Sequence, residues 1–245
     1  MWPFNMTLKF RLFLIMLVMS QTINGKEYST TDLEQIRNQQ IDIIRKDKGN
    51  VAAICELVCA DALLCEEYHK DMGPYWLNAG LCHEICRYMP AIIEMGDNLV
   101  MAENVCERAA QALWHHPRLK LRLLMLQRDA IIAQGGDRAD DAEMGIDELS
   151  AEISQLQLNI LAADQGRWDD IVDSGHLKRD PVEWTEAFED AISDAQAKAN
   201  KRLEDAPRCM GFCFAWWGEL ADILLRDYKI RWRSPQVMNP RVMFD

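Results

Sequence analysis

The sequence predicts an all-α fold: a helical bundle stapled by disulfides, built around a twin C-x3-C helical hairpin and preceded by a cleaved signal peptide. Two observations predict the helices. Apolar residues recur at three- and four-residue spacing along most of the chain, and Ser, Asp, Asn, Gly and Pro punctuate the breaks between the runs. A third observation predicts the staples: all eight cysteines lie beyond residue 50, and Cys55–Cys59 and Cys82–Cys86, 27 residues apart, are both C-x3-C pairs, a spacing that recurs at Cys209–Cys213.

The elements follow in order. Residues 1–25 read as a signal peptide, with Lys9 and Arg11 ahead of an apolar run from Leu12 to Met19 and a polar stretch ending at Gly25. A membrane-spanning helix needs about 20 apolar residues, so this run is too short to be one. Thr31-Asp32-Leu33-Glu34 has the pattern of a capping box, and the helix it opens carries Leu33, Ile36, Ile41 and Ile44 as far as Gly49. Asn50 caps a second helix that runs to about His69. A third starts near Pro74 and is expected to end or kink at Pro90. Another is expected from Ala91 to about His115, with Pro117 breaking the chain. Arg118–Leu124 alternates, but Leu119, Leu123, Leu126 and Ile131 also fit a helix, which closes at Gly135-Gly136.

From 138 to 163 the spacing is that of a heptad seam: Ile146, Leu149, Ile153, Leu156 and Ile160. The seam fits packing within the bundle or, secondarily, oligomerisation. Residues from Asp164 to Arg179 read as a loop. Asp180-Pro181 with Glu183 then opens a helix ending before Pro207, and Cys209 to about Trp232 forms the last one. The expected organisation is a helical domain over 26–165, holding the hairpin at 50–89, and C-terminal helices over 166–245 clamped onto it.

The cysteines carry the chemistry. Eight cysteines permit 105 connectivities, but residues i and i+4 share one helical face. Two antiparallel helices can therefore join Cys55 to Cys86 and Cys59 to Cys82, a register that turns near residues 70–71, beside Gly73-Pro74. A staple closing about 30 residues is worth roughly 3.5 to 4 kcal/mol in the chain-entropy account. This arrangement resembles the stapled helical hairpins of several small secreted and intermembrane-space proteins over residues 55–86. In this register Cys65 faces Trp76, so Cys65 and Cys106 are left to tie down Cys209 and Cys213. The alternative is Cys65–Cys106 with Cys209–Cys213.

A net charge of −12, which becomes −14 without the two signal-peptide cations, repels phosphate backbones and disfavours nucleic acid. The basic run His115, His116, Arg118, Lys120, Arg122 is a candidate docking site for an anionic partner, or else pairs with acids inside the protein. Trp216 and Trp217 are candidate hot spots or core. No G-x-S-x-G, H-E-x-x-H or clear Ser/His/Asp set is present. The expectation is an exported, periplasmic or extracellular, non-enzymatic protein that binds other proteins, needs no cofactor, and touches membranes only peripherally. A Cu(I) carrier using Cys55, Cys59, Cys82, Cys86 and His83 comes second, and an exported hydrolase third.

Overall fold

The structure, a computed structural model, describes residues 28–70, 73–135, 141–173, 175 and 177–244, with the backbone alone for 141–144. The expected signal peptide lies outside the described residues. Their regular elements are all helices, with no strand among the described residues: α1 (Thr30–Lys46), α2 (Val51–His69), α3 (Asn78–Met95), α4 (Leu99–Gln111), α5 (Pro117–Ala133), α6 (Asp141–Asp164), α7 (Glu186–Arg202), α8 (Phe212–Tyr228) and the single turn α9 (Pro235–Met238). Short 3-10 turns occupy Tyr75–Leu77, Trp168–Asp170 and Pro181–Trp184. No helix among the described residues is long and apolar enough to cross a membrane.

The chain divides into two compact units. The first comprises the described part of Met1–Leu113 together with Leu119–Ile153; the second comprises Trp114–Arg118 and Ser154–Asp245. The division falls on either side of Trp114–Arg118 and again inside α6. A continuous helix passing from one unit to the next leaves no Gly- or Pro-rich signal to mark the boundary.

In the first unit α2 is the central helix, with twelve of its nineteen residues buried, among them Ala53, Cys55, Cys59, Ala60, Ala62 and Cys65. A helix buried nearly all round has little amphipathic pattern, and its small side chains let neighbouring helices approach closely. The helix ends are chemically explicit. Ser29, not Thr31, caps α1: its Oγ accepts from Asp32 N at 3.2 Å while the Asp32 carboxylate accepts from Ser29 N at 3.1 Å. Asn50 caps α2 as expected, accepting from Ala53 N at 3.1 Å.

The two prolines expected to interrupt helices behave differently from each other. Pro117 opens α5, where its missing N–H belongs to the unpaired first turn. Pro90 sits inside α3, which continues to Met95 and ends at Gly96 with φ +74°. Proline at 90 leaves the Cys86 carbonyl, four residues back, without its helical donor. The Arg122 guanidinium donates to that carbonyl at 3.4 Å, so the helix runs on. The next break falls at Gly96–Asn98, and α4 is correspondingly shorter than the sequence suggested.

The hairpin register also shifts. The chain needs a 3-10 turn at Tyr75–Leu77 before α3 begins, so the fold centres on Gly73-Pro74, not on residues 70–71. A Cβ on Gly73 would lie 2.8 Å from the Tyr68 carbonyl oxygen, which only glycine avoids. The delay moves α3 along α2. Cys82 faces Cys65, with 3.8 Å between sulfurs, and not Cys59 as expected. No two of the eight sulfurs lie at bonding distance, so neither the Cys55–Cys86 and Cys59–Cys82 staples nor the clamp from Cys65 and Cys106 to Cys209 and Cys213 is shown.

In the second unit α7 places Phe188, Ala191, Ile192, Ala195 and Ala199 inward. The helix begins later than the sequence suggested. Asp180 caps the 3-10 turn through Val182 N, and Thr185 caps α7 itself through Phe188 N.

Candidate functional site

The most site-like feature of the first unit is a groove of about 650 Å³ along α1, α2 and α3, lined by Glu34, Arg37, Tyr68, His83, Glu84 and Arg87 among others. A polar cluster that shares Glu34, Arg37, Tyr68 and Glu84 with the groove arises from helical spacing. Arg37 and Gln40 are three residues apart on α1, and both turn toward α2. Gln40 donates to the buried Glu56 carboxylate at 2.7 Å, and Arg37 donates to Asp61 at 2.7 Å and to Glu84 of α3 at 2.5 Å. Glu34, three residues before Arg37, accepts from the Tyr68 hydroxyl at 2.6 Å.

Asp61 is fully buried, with Arg37 as its donor at Oδ1 and no hydrogen-bond partner at Oδ2. Burial pushes its carboxyl up to about 8, and the neighbouring Glu84 adds to the rise, although Arg37 pulls the other way. Arg37 keeps its charge against its own burial because two carboxyl groups face it. Burial and the Glu34 contact also raise the Tyr68 hydroxyl.

This cluster holds a proton, but a general acid must touch its substrate, and Asp61 has no exposed surface to do so. The groove can seat an amphipathic group against Leu64, Leu81 and Tyr68, with Glu34 and Glu84 at hand for a cation. The sequence singled out neither Asp61 nor Arg37. The available signal was an acid inside an otherwise apolar, cysteine- and alanine-rich helix.

The sulfur positions work against a Cu(I) site. Cys55, Cys59, Cys82 and Cys86 are buried, whereas His83, between the last two in sequence, points out to solvent. Burial raises the thiols of Cys55 to about 11 and Cys86 to about 12, and Cys59 well above its ordinary value. Among the described residues no group of three or more His, Cys, Asp or Glu side chains has the geometry to hold a metal ion.

The basic run meets partners inside the protein. His115 Nδ1 lies 3.2 Å from Glu183, and the buried His116 lies 3.1 Å from Ser193 Oγ. Arg118 binds the Trp184 carbonyl, Glu189 through its backbone N–H, and Asp164; Lys120 pairs with Glu152 at 2.8 Å; Arg122 serves the Cys86 carbonyl. The Ser193–His116 contact has the chemistry of a nucleophile and a base. Ser193 nevertheless lies in the middle of α7, where the backbone N–H groups that would form an oxyanion hole are taken up by the helix.

Of the heptad positions, Leu149, Ile153 and Leu156 are buried, and Ile146 and Ile160 are half-buried.

The C-terminal aromatics divide. Trp216 is buried at 9% exposure and belongs to the core. Trp217, one position round the helix, packs edge-on against Phe214 at 5.7 Å and Phe244 at 5.1 Å, both centroid distances. Phe214 is itself exposed, as are Cys209 and Val242. Met210 and Met243, the residues before Gly211 and Phe244, are 87% and 96% exposed. Against this geometry, no protein-family model matches the chain, and neither the curated proteins nor the solved structures contain a match to it.

Proposed function

We propose that this chain is an exported, disulfide-stapled helical protein that acts without catalysis, by binding another protein through the apolar surface around Trp217. The single observation that carries the reading is the aromatic row Phe214–Trp217–Phe244, flanked in sequence by the exposed methionines Met210 and Met243. Rigid aromatic rings and adaptable thioethers are the side chains that anchor protein interfaces, and exposing them brings no benefit to a chain that stays alone. Export and stapling rest on the sequence, through the basic and apolar N-terminal segment and the even number of cysteines.

The partner follows from charge. A chain of net −12 repels anionic lipid and nucleic acid and attracts a protein with a cationic rim around an apolar socket. The test is site-specific photocrosslinking in the native extracellular or periplasmic fluid, with the crosslinking residue placed at 217 and, as a control, at the exposed Lys201. The expected result is one discrete protein adduct from position 217, lost on Phe214→Ala and weakened by raised salt. Lipid adducts from position 217, or identical patterns from both positions, would overturn the reading.

A further inference from the structure

We infer that Cys65 and Cys82 close a disulfide that fastens α2 to α3. The inference specifies the stapling proposed above and rests on that reading. It assigns Cys82 to a different partner from the one that helical spacing alone suggests.

The two sulfurs are 3.8 Å apart, and a disulfide needs about 2.05 Å. The gap is the size that side-chain rotation closes. Both residues have no exposed surface, and each sulfur has only a long contact to a carbonyl oxygen: Cys65 to Asn78 at 3.9 Å and Cys82 to Ala109 at 3.7 Å. Bonding the sulfurs to each other gives up little hydrogen bonding.

The backbones on either side are already fixed. Asn78 Nδ2 donates to the Cys65 carbonyl at 3.0 Å and to the Ala112 carbonyl at 3.3 Å, which pins the start of α3 against the end of α2. Gly73 allows the close turn that joins them. The seam is therefore held in register by contacts that do not involve sulfur, and the thiol pair lies within it. The Cys59–Cys82 pairing would require α3 to slide back along α2 and break the Asn78 contacts.

Closure is a two-electron oxidation. A thiolate of one cysteine attacks a disulfide-bearing oxidant, either a protein dithiol–disulfide carrier or a small-molecule disulfide, and expels one of its sulfurs as a thiolate that takes up a proton. The second cysteine, deprotonated, then attacks the mixed disulfide and expels the other sulfur. The products are the Cys65–Cys82 bond and two oxidant thiols, with both cysteine protons accounted for. Burial seals both sulfurs and disfavours the Cys65 thiolate in the folded protein. The exchange therefore belongs to the folding chain in an oxidising compartment. Once the core has closed, the same burial keeps reductants away from the bond.

The test is peptide mapping without reductant. Protein recovered from an oxidising export pathway is quenched with N-ethylmaleimide in denaturant and cut by trypsin and by Asp- and Glu-specific proteases. Cleavage at Lys70 separates Cys65 from Cys82, cleavage before Asp61 separates Cys59 from Cys65, and cleavage after Glu84 separates Cys82 from Cys86. The expected result is a peptide linking Cys65 to Cys82. That link should survive reductant applied to native protein and vanish when reductant and denaturant are combined. A Cys59–Cys82 link, or Cys65 and Cys82 both alkylated beside other intact disulfides, overturns this pairing and leaves stapling as such standing. Eight alkylated cysteines overturn both.

Discussion

Asp61 in the first unit and Asp180 in the second are both shut away from solvent, yet their surroundings differ in kind. Four donors converge on Asp180: Val182 N and Arg233 Nη2 on Oδ1, and the Arg233 backbone N–H and Nε on Oδ2, all between 2.7 and 3.3 Å. Asp61 has the Arg37 bond on one oxygen and no donor on the other. Burial alone therefore does not decide what a carboxyl group does to its protein. Asp180 ties the start of a helical turn to the segment after α8, while Asp61 responds to its surroundings by holding a proton.

The largest effect that would break this contrast is pH dependence. The Asp61 carboxyl has a folded value of about 8, and in the unfolded chain the ordinary value is about 4. Below about pH 4 both states hold the proton, and burial of the group costs nothing in charge. From there to about pH 8 the folded state alone holds it, so stability falls as pH rises; above 8 the loss is complete. Asp61→Asn removes this dependence. Between pH 5 and 8 the parent should lose on the order of 3 kcal/mol relative to the variant in urea melts followed by circular dichroism. Parallel curves for the two proteins would mean that Asp61 stays ionised in the fold.

The next effect, about 2 kcal/mol, is the loss expected for Asp180→Ala, because four charge-assisted or capping bonds disappear while the Arg233 head, half exposed, regains water. It should be read in the same melts. A variant as stable as the parent would reduce the four-donor arrangement to surface decoration.

How much of this was legible in the sequence depends on range. Local signals carried through: Asn50 as a cap, the break at Gly135, Asp180 before Pro181, and the helical period of 141–164 all follow from residues within one or two turns. Register did not carry through. The C-x3-C spacing is a true statement about one helix face, but which cysteine it meets depends on how many residues the turn consumes, and the 3-10 turn at Tyr75–Leu77 was silent in the pattern. The groove was equally hidden. Arg37, Asp61 and Glu84 are 24 and 23 residues apart along the chain, and nothing local says that three helices bring them together. The basic run at 115–122 was visible, but its acids at 152, 164, 183 and 189 were too distant to be assigned.

The smallest effect applies the same matching of donors and acceptors to the backbone. Pro90 removes the N–H that would have served the Cys86 carbonyl, and Arg122 reaches in from α5 to replace it. If that is why α3 tolerates an internal proline, Arg122→Ala should cost about 1 kcal/mol in the parent by leaving a carbonyl without a donor. In a Pro90→Ala background the helix supplies its own N–H at position 90, and the same substitution should cost close to nothing. A double-mutant cycle from urea melts reads the difference directly, as a coupling of about 1 kcal/mol between two residues whose side chains need not touch. Equal losses in both backgrounds would mean that Arg122 acts elsewhere. The long 3.4 Å contact would then be incidental, and α3 would owe its passage through Pro90 to the burial of Met89 and Ile92 on either side.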